Sequence, residues 1–329
     1  MAKDAILTHG NLVANISRAW IGSSLIVGSD VVVTSLPTHH IFSMTASILT
    51  MMSLGCNNLL ITNSKDFESV VKILKKKFHS ITGVNTLYRK IMNVDSFKDV
   101  DFSGLKLTLA GGVSVTWDVA DDWKIITGTP IIEAYDLTET SLAATINPLD
   151  FKECNGFIGP PLPSTFIQVK DEEDNDLGID VEDELYVKDS QVTKGYWRRP
   201  DETLRTFTKD GYFKISDYAT ISALGYIKIS DCKKDMILVF GFGEFHSEIE
   251  VVLTLHSYIV EAAAIAVPFL PSGEAVKIFI VKNNGGLTKE LVDSYCREQL
   301  TAYKFLREIV FTDELSKSNV GKFLRKNLR

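Results

Sequence analysis

Apolar positions in the first 145 residues switch repeatedly between two periods. In "FESVVKILKKKF" Phe67, Val70, Val71, Leu74 and Phe78 recur at helical spacing, which predicts an amphipathic helix. "DVVVTSLP" is a β-branched run stopped by Pro37 and predicts a strand. "NLVANISRAWIGSSLI" is helix-like, with Asn11 as its cap. "SITGVNT", "LKLTLAGG" and "PIIEAY" read as further strands separated by helical segments. Strands alternating with helices imply βαβ units and a mostly parallel sheet. Ligands of such sheets bind beyond the carboxyl ends of the strands, which sets "LAGG" and "EAYDLTET" at the candidate ligand edge.

From about residue 150 to 230 the helical period disappears. "FIGPPLPSTFIQVKD", "DELYVKD", "GYFKISDYATIS" and "GYIKISD" are short strands ended by Gly, Pro or Asp, which predicts a small antiparallel β-barrel or distorted sheet. Mixed order returns after about 235, where "FHSEIEVVLTL" and "TKELVDSYCREQL" read as helices and "VEAAAIAVPF", "AVKIFIVK" and "REIVFTD" as strands. The expected division is an α/β lobe over 1–149, a barrel-like subdomain over 150–230, a charged hinge over 231–235 and an α+β domain over 236–329.

Composition adds exclusions. The 329 residues, 45% hydrophobic and 23% charged, suit two or three soluble domains. A net charge of −7 argues against a nucleic-acid partner. The basic run Lys75, Lys76, Lys77 reads as the solvated end of a helix. Four widely spaced cysteines without a CxxC pair argue against zinc or redox chemistry and fit a reduced, cytoplasmic chain. No signal peptide is read at the start. The most apolar stretch, "IFSMTASILTMMSLGCNNLLIT", is interrupted by Ser, Thr, Gly and Asn, so a buried helix and strand are expected there rather than a membrane span.

Ten stretches, in order over the whole chain, carry a resemblance: "AILTHGNL", "PTHHIF", "NLLITN", "ITGVNTLY", "EAYDLTET", "IGPPLPST", "GYWRRPDET", "DCKKDMILVFGF", "SGEAVKIFIVK" and "SKSNVGKFLRKNLR". Together they resemble the adenylate-forming, AMP-binding superfamily, and within it the bacterial long-chain fatty acid–CoA ligases. The resemblance implies a two-step reaction. A fatty carboxylate attacks the α-phosphate of ATP, and the thiol of coenzyme A then displaces AMP from the acyl-adenylate. It implies Mg2+ as well, because charge develops on the phosphates.

The resemblance also implies roles. Lys322 reaches the α-phosphate, Thr138 contacts it, and Glu139 holds magnesium. Tyr135 stacks near adenine, Gly111 and Gly112 lie close to the base, and Asp217 accepts from the ribose hydroxyls. Lys3 closes a phosphate loop, His40 lies near the acyl carboxylate, and Lys234 sits at the hinge. Where family members carry glycine, this sequence has Asp136, Asp174, Asp183 and Asp189; Ile215 and Ser216 replace a Thr-Gly pair, and Cys232 an arginine. Asp136 is expected at the centre of a tight turn, strained and facing the phosphates. The rest of the phosphate loop and part of the acyl lobe are expected to be missing, leaving Lys3 on a frayed end. The expected function is a long-chain fatty acid–CoA ligase; the alternative is a non-catalytic remnant or split-gene fragment with impaired nucleotide binding. Its expected partners are a fatty acid, ATP and CoA. Peripheral attachment at the inner membrane face and an N-terminal lobe supplied by another chain are compatible additions.

Overall fold

The computed structural model describes residues 3–18, 25–112, 114–151, 156–232, 237–239, 242–244, 246–269, 273–283, 285–299, 306–317 and 323–328. Helix α1 (His9–Ile16) opens the described chain. Its cap is Thr8 rather than Asn11: Thr8 Oγ1 accepts the Asn11 N–H at 3.2 Å, and Asn11 Oδ1 accepts the Thr8 N–H at 2.8 Å. Asn11 is the third residue of a reciprocal capping box, which satisfies two helix-end donors at once.

The elements β1 (Val31–Thr34), α2 (Met51–Ser53), β2 (Asn57–Leu60), α3 (Phe67–Leu74), β3 (Ser80–Gly83), α4 (Asn85–Met92), β4 (Leu107–Ala110), α5 (Trp117–Thr127), β5 (Ile131–Leu137) and β6 (Leu142–Ile146) follow. They form one six-stranded sheet in the order β2-β1-β3-β4-β5-β6. Strands β1 to β5 are parallel and β6 is antiparallel to β5. This is the α/β arrangement that the alternating pattern implies. Val32, Val33, Ile81 and Leu109 from the strands pack with Val70, Val71 and Leu74 of α3. Trp123 of α5, with no exposed surface, lies 4.7 Å from the Tyr88 ring and donates its indole N–H to Thr108 Oγ1 at 3.2 Å. A buried indole needs such a partner.

The interrupted apolar stretch is a wide-turned helix, Ser43–Thr50, that runs into α2 and then β2. Its polar residues are used inside the lobe: Ser47 Oγ meets Thr82 Oγ1 at 2.7 Å, and Thr50 Oγ1 donates to Thr45 O at 2.8 Å. Among the described residues no helix is long and apolar enough to cross a membrane.

Strands β7 (Phe166–Lys170), β8 (Asp183–Lys188), β9 (Phe213–Ile221) and β10 (Ile227–Cys232) make the next sheet, in the order β10-β9-β8-β7, with α6 (Pro200–Thr206) between β8 and β9. β7 and β8 pair antiparallel. The bridges Thr145–Pro161 and Gly159–Ile227 tie this region to β6 and β10.

Contacts divide the chain into two compact units, Met1–Ile215 with Thr220–Ile229, and Ser216–Ala219 with Ser230–Arg329. The second contains β11 (Ile237–Val239), β12 (Phe242–Glu244), α7 (His246–Thr254), β13 (Ile259–Phe269), β14 (Gly273–Lys282), α8 (Lys289–Gln299) and β15 (Leu306–Phe311). Its sheet runs β12-β11-β14-β13, with β15 parallel beside β14. Ile249, Leu253, Ile278, Ile280, Val292 and Cys296 fill its core. Burial pushes the Cys296 thiol up to about 12, so it packs as a small neutral group.

Candidate active site

Three carboxylates project from "EAYDLTET", and the backbone decides what each can do. Strand β5 runs on through Asp136 to Leu137, held by pairing of Asp136 with Ala143 and Leu137 with Leu142. The turn comes later, as a single tight helical turn Thr138–Thr140 followed by Ser141 at φ 61°. Asp136 is therefore not the centre of a tight turn, and it is absent from the described non-glycine residues with positive φ. Its carboxylate is turned inward: Oδ1 accepts the Gly112 N–H at 2.6 Å. Glu133 does likewise, its Oε1 accepting the Val115 N–H at 2.8 Å. The two acids stitch the segment after β4 to β5, and the expected exposure of Asp136 to phosphates is replaced by a structural contact.

Gly111 and Gly112 are required by this stitching. A Cβ on Gly111 would come within 2.6 Å of Asp136 Oδ1, 3.3 Å of Ala134 O and 3.5 Å of Phe42 Cζ. Gly112 has φ +75°, and a Cβ there would meet only open space. The backbone at Gly112 is thus bare on its outer face, at the carboxyl edge of the sheet.

Thr138 is exposed and Glu139 half-buried. The turn that carries them is fixed from behind by α1 and the loop after β8. Asn15 Nδ2 donates to Ala143 O at 2.9 Å, Gln191 Oε1 at 2.8 Å and Thr140 O at 3.3 Å. Gln191 Nε2 donates to Ala143 O at 2.8 Å, and Ser141 Oγ to Gln191 O at 2.8 Å. Asn11 Nδ2 reaches Ser190 O at 2.6 Å and Val192 O at 3.0 Å. Buried networks of this kind rigidify what they hold, although Asn15 Oδ1 is buried here without a partner among the described residues. Glu139 itself receives the Thr193 N–H on its carbonyl at 2.7 Å and the Tyr196 hydroxyl on Oε1 at 2.8 Å.

Lys3 is pinned rather than frayed. Residues 4–6 pair with 194–197: the Ile6 N–H donates to Gly195 O at 2.8 Å and the Trp197 N–H to Asp4 O at 2.8 Å. Lys3 Nζ ion-pairs with Glu202 at 2.8 Å and lies 4.8 Å from the Tyr196 ring centroid. The Lys3 hydrogen bond and charge hold the Glu202 carboxyl below its usual range. Burial, together with the Glu139 carboxylate, pushes the Tyr196 phenol well above its ordinary value, so it remains a donor.

His40 follows β1, at the same edge of the sheet. Its Nδ1 accepts the Phe42 N–H at 3.3 Å and its carbonyl accepts the Met44 N–H at 2.9 Å. The structure therefore gathers Gly111, Gly112, Tyr135, Thr138 and Glu139 around the carboxyl ends of the adjacent strands β4 and β5, adds Lys3 through Tyr196, and adds His40 through Phe42. Asp217 lies on β9 within the second unit, preceded by Ser216 at φ 68°. Lys234 and Lys322 lie outside the described residues. Of the other aspartates at glycine positions, only Asp174 has a left-handed backbone, at φ 66°. Asp189 is instead the anchor of an ion pair, with Arg18 Nη1 at 2.6 and 2.5 Å from its two oxygens and Thr165 Oγ1 donating to Oδ2 at 2.7 Å.

Sequence reasoning missed Tyr196, Asn15 and Gln191. Tyr196 stood in the quoted "GYWRRPDET", and a polar residue on an otherwise packed helix face was the available signal for Asn15.

A family model described as AMP-binding enzyme matches residues 1–197, and one described as AMP-binding enzyme C-terminal domain matches 248–322. A long-chain-fatty-acid–CoA ligase of Yersinia pestis is 46% identical over 332 residues, covering 100% of this chain and 59% of the relative. One from Escherichia coli O6:H1 is 45% identical with the same coverage. The chain thus spans 59% of the length of these curated relatives. The crystal structure of ATP-bound MatB from Rhodopseudomonas palustris superimposes with a TM-score of 0.92 at 27% identity, over 99% of this chain and 65% of that one.

Proposed function

Because this chain belongs to the family of AMP-binding enzymes, we propose that it carries the chemistry of a long-chain fatty acid–CoA ligase. The fatty carboxylate attacks the α-phosphate of ATP and pyrophosphate leaves. The thiol of coenzyme A then attacks the acyl carbonyl, AMP leaves, and the thiol proton is lost to solvent. One observation supports this most: Glu139, fixed in place and half-buried, stands beside exposed Thr138 at the carboxyl edge of a parallel sheet.

The residues present fit the groups required. Magnesium takes one or two carboxylates and completes its shell with water and phosphate oxygens. Among the described residues there is no cluster of three acidic, His or Cys ligands, and Glu139 supplies the single carboxylate such a site needs. When bound, the ion would neutralise phosphate charge. The bare backbone at Gly112 suits a flat base lying against it. We assign Thr138 to the α-phosphate, Tyr135, Gly111 and Gly112 to adenine, Asp217 to the ribose, His40 to the acyl carboxylate and Lys3 to the pyrophosphate side. We assign Lys322 to the α-phosphate and Lys234 to a hinge at 231–235, across which the C-terminal domain turns between the two steps.

The reading extends to a cytoplasmic setting, to attachment at the inner membrane face, and to a further lobe carried on another chain. The test supplies the purified chain with ATP, Mg2+, palmitate and CoA, with and without a separately produced N-terminal lobe of an intact relative. Palmitoyl-CoA lost on Glu139→Gln is the expected result. No product in either mixture would favour the non-catalytic alternative.

A further inference from the structure

We propose that Tyr196 is the positioning residue for Glu139, holding its carboxylate in the one orientation that leaves Oε2 to a divalent cation. The inference rests on the reading of Glu139 as the metal-facing carboxylate. A glutamate on a single helical turn has three side-chain torsions to fix, and ordering it costs side-chain entropy. A ligand left loose spends that cost out of its metal affinity. Here the ordering is done beforehand. The Tyr196 hydroxyl donates to Oε1 at 2.8 Å, while among the described residues no donor reaches Oε2.

Tyr196 is itself held by packing and hydrogen bonds. It is 6% exposed and packs with Ala144, Val187, Val192 and Phe213 in a cluster that Tyr135 also joins. Its N–H donates to Thr203 Oγ1 at 3.0 Å, and its backbone bridges to Ala5. The same loop grips Glu139 a second time, through the Thr193 N–H on its carbonyl at 2.7 Å. Lys3, 4.8 Å from the ring centroid, places a cation over the ring whose hydroxyl faces an anion, so both ends of the phenol are electrostatically satisfied. Tyr196 would act on the cation only through Glu139.

The test reads metal binding without turnover. Mn2+ is titrated into the full chain with ATP and no fatty acid, and free Mn2+ is followed by electron paramagnetic resonance. Tyr196→Phe keeps the ring in its cluster and should weaken Mn2+ about tenfold, the usual size of an outer-partner loss, with the melting temperature nearly unchanged. Glu139→Gln should weaken it further, and Tyr196→Phe added to Glu139→Gln should change nothing more. Mn2+ bound equally by Tyr196→Phe and the unaltered chain, while Glu139→Gln weakens it, overturns this inference and leaves the functional reading standing. Binding insensitive to Glu139→Gln, or absent from the unaltered chain, overturns the reading itself. Should Tyr196→Phe fail to fold, a crystal structure of the unaltered chain with Mg2+ and ATP decides: the hydroxyl must still lie within hydrogen-bond distance of Glu139.

Discussion

The two ends of β5 carry the same kind of side chain and use it oppositely. On the strand itself, taken as the inner end, Glu133 and Asp136 turn back to the N–H groups of Val115 and Gly112. At the outer end, Glu139 stands past the strand, held by a phenol and a backbone amide. The difference comes from pairing. β6 keeps β5 paired through Asp136 and Leu137 across a register shift between Tyr135 and Asp136, so the first carboxylates stay among backbone groups and the last emerges on the turn. An acid's duty here is set by whether its backbone is still in the sheet.

The sharpest way to break the inner end is Gly111→Ala. Its Cβ would collide with Asp136 Oδ1 and crowd Ala134 O, and overpacking of this kind should cost about 3 kcal/mol in a denaturant melt. Adding Asp136→Gly should return part of that loss; strict additivity would show the two do not touch. The outer end should break next most easily. Asn15→Leu removes the donor shared by Ala143 O, Gln191 Oε1 and Thr140 O, and should cost about 2 kcal/mol.

Restoring glycine separates two positions that look alike in sequence. Ser216 has φ 68°, so Ser216→Gly should stabilise by about 1 kcal/mol. Asp136→Gly relieves no such strain, and by losing the Gly112 contact should destabilise by about 1 kcal/mol. A gain at both would mean that Asp136 is strained after all.

The smallest effect concerns Lys3. Its hydrogen bond and charge depress the Glu202 carboxyl, so that pair contributes stability above the unfolded glutamate value and loses it as pH falls through the depressed one. Lys3→Met should raise the Glu202 titration midpoint measured by NMR and flatten the acid limb of the stability curve. An unmoved midpoint would detach Lys3 from this end of the site.

Much of this was legible beforehand because it is local. The periods of "FESVVKILKKKF" and "DVVVTSLP" find α3 and β1, since burial of one face dictates both, although α3 ends at Leu74, short of Phe78. The cap of α1 was misplaced by three residues because Thr8 and Asn11 are both good caps and bond to each other. What was not legible is tertiary. Asn15 meets residues 140, 143 and 191, and Tyr196 meets Glu139 across 57 positions, so no window of sequence contains either pair. Asp136 misled for a related reason: the resemblance supplied a glycine's turn, whereas pairing with β6 supplied a strand.

The central proposal is that Asp136 holds the fold while Glu139 faces the ligand. The most direct test is thermal melting of Asp136→Ala and Glu139→Gln, each alone, with ATP, and with ATP and Mg2+. The account predicts that Asp136→Ala melts lower but keeps the Mg2+-dependent part of the ATP shift, while Glu139→Gln melts as the unaltered chain does and loses that part. A Glu139→Gln variant whose ATP shift still grows with Mg2+ would contradict it.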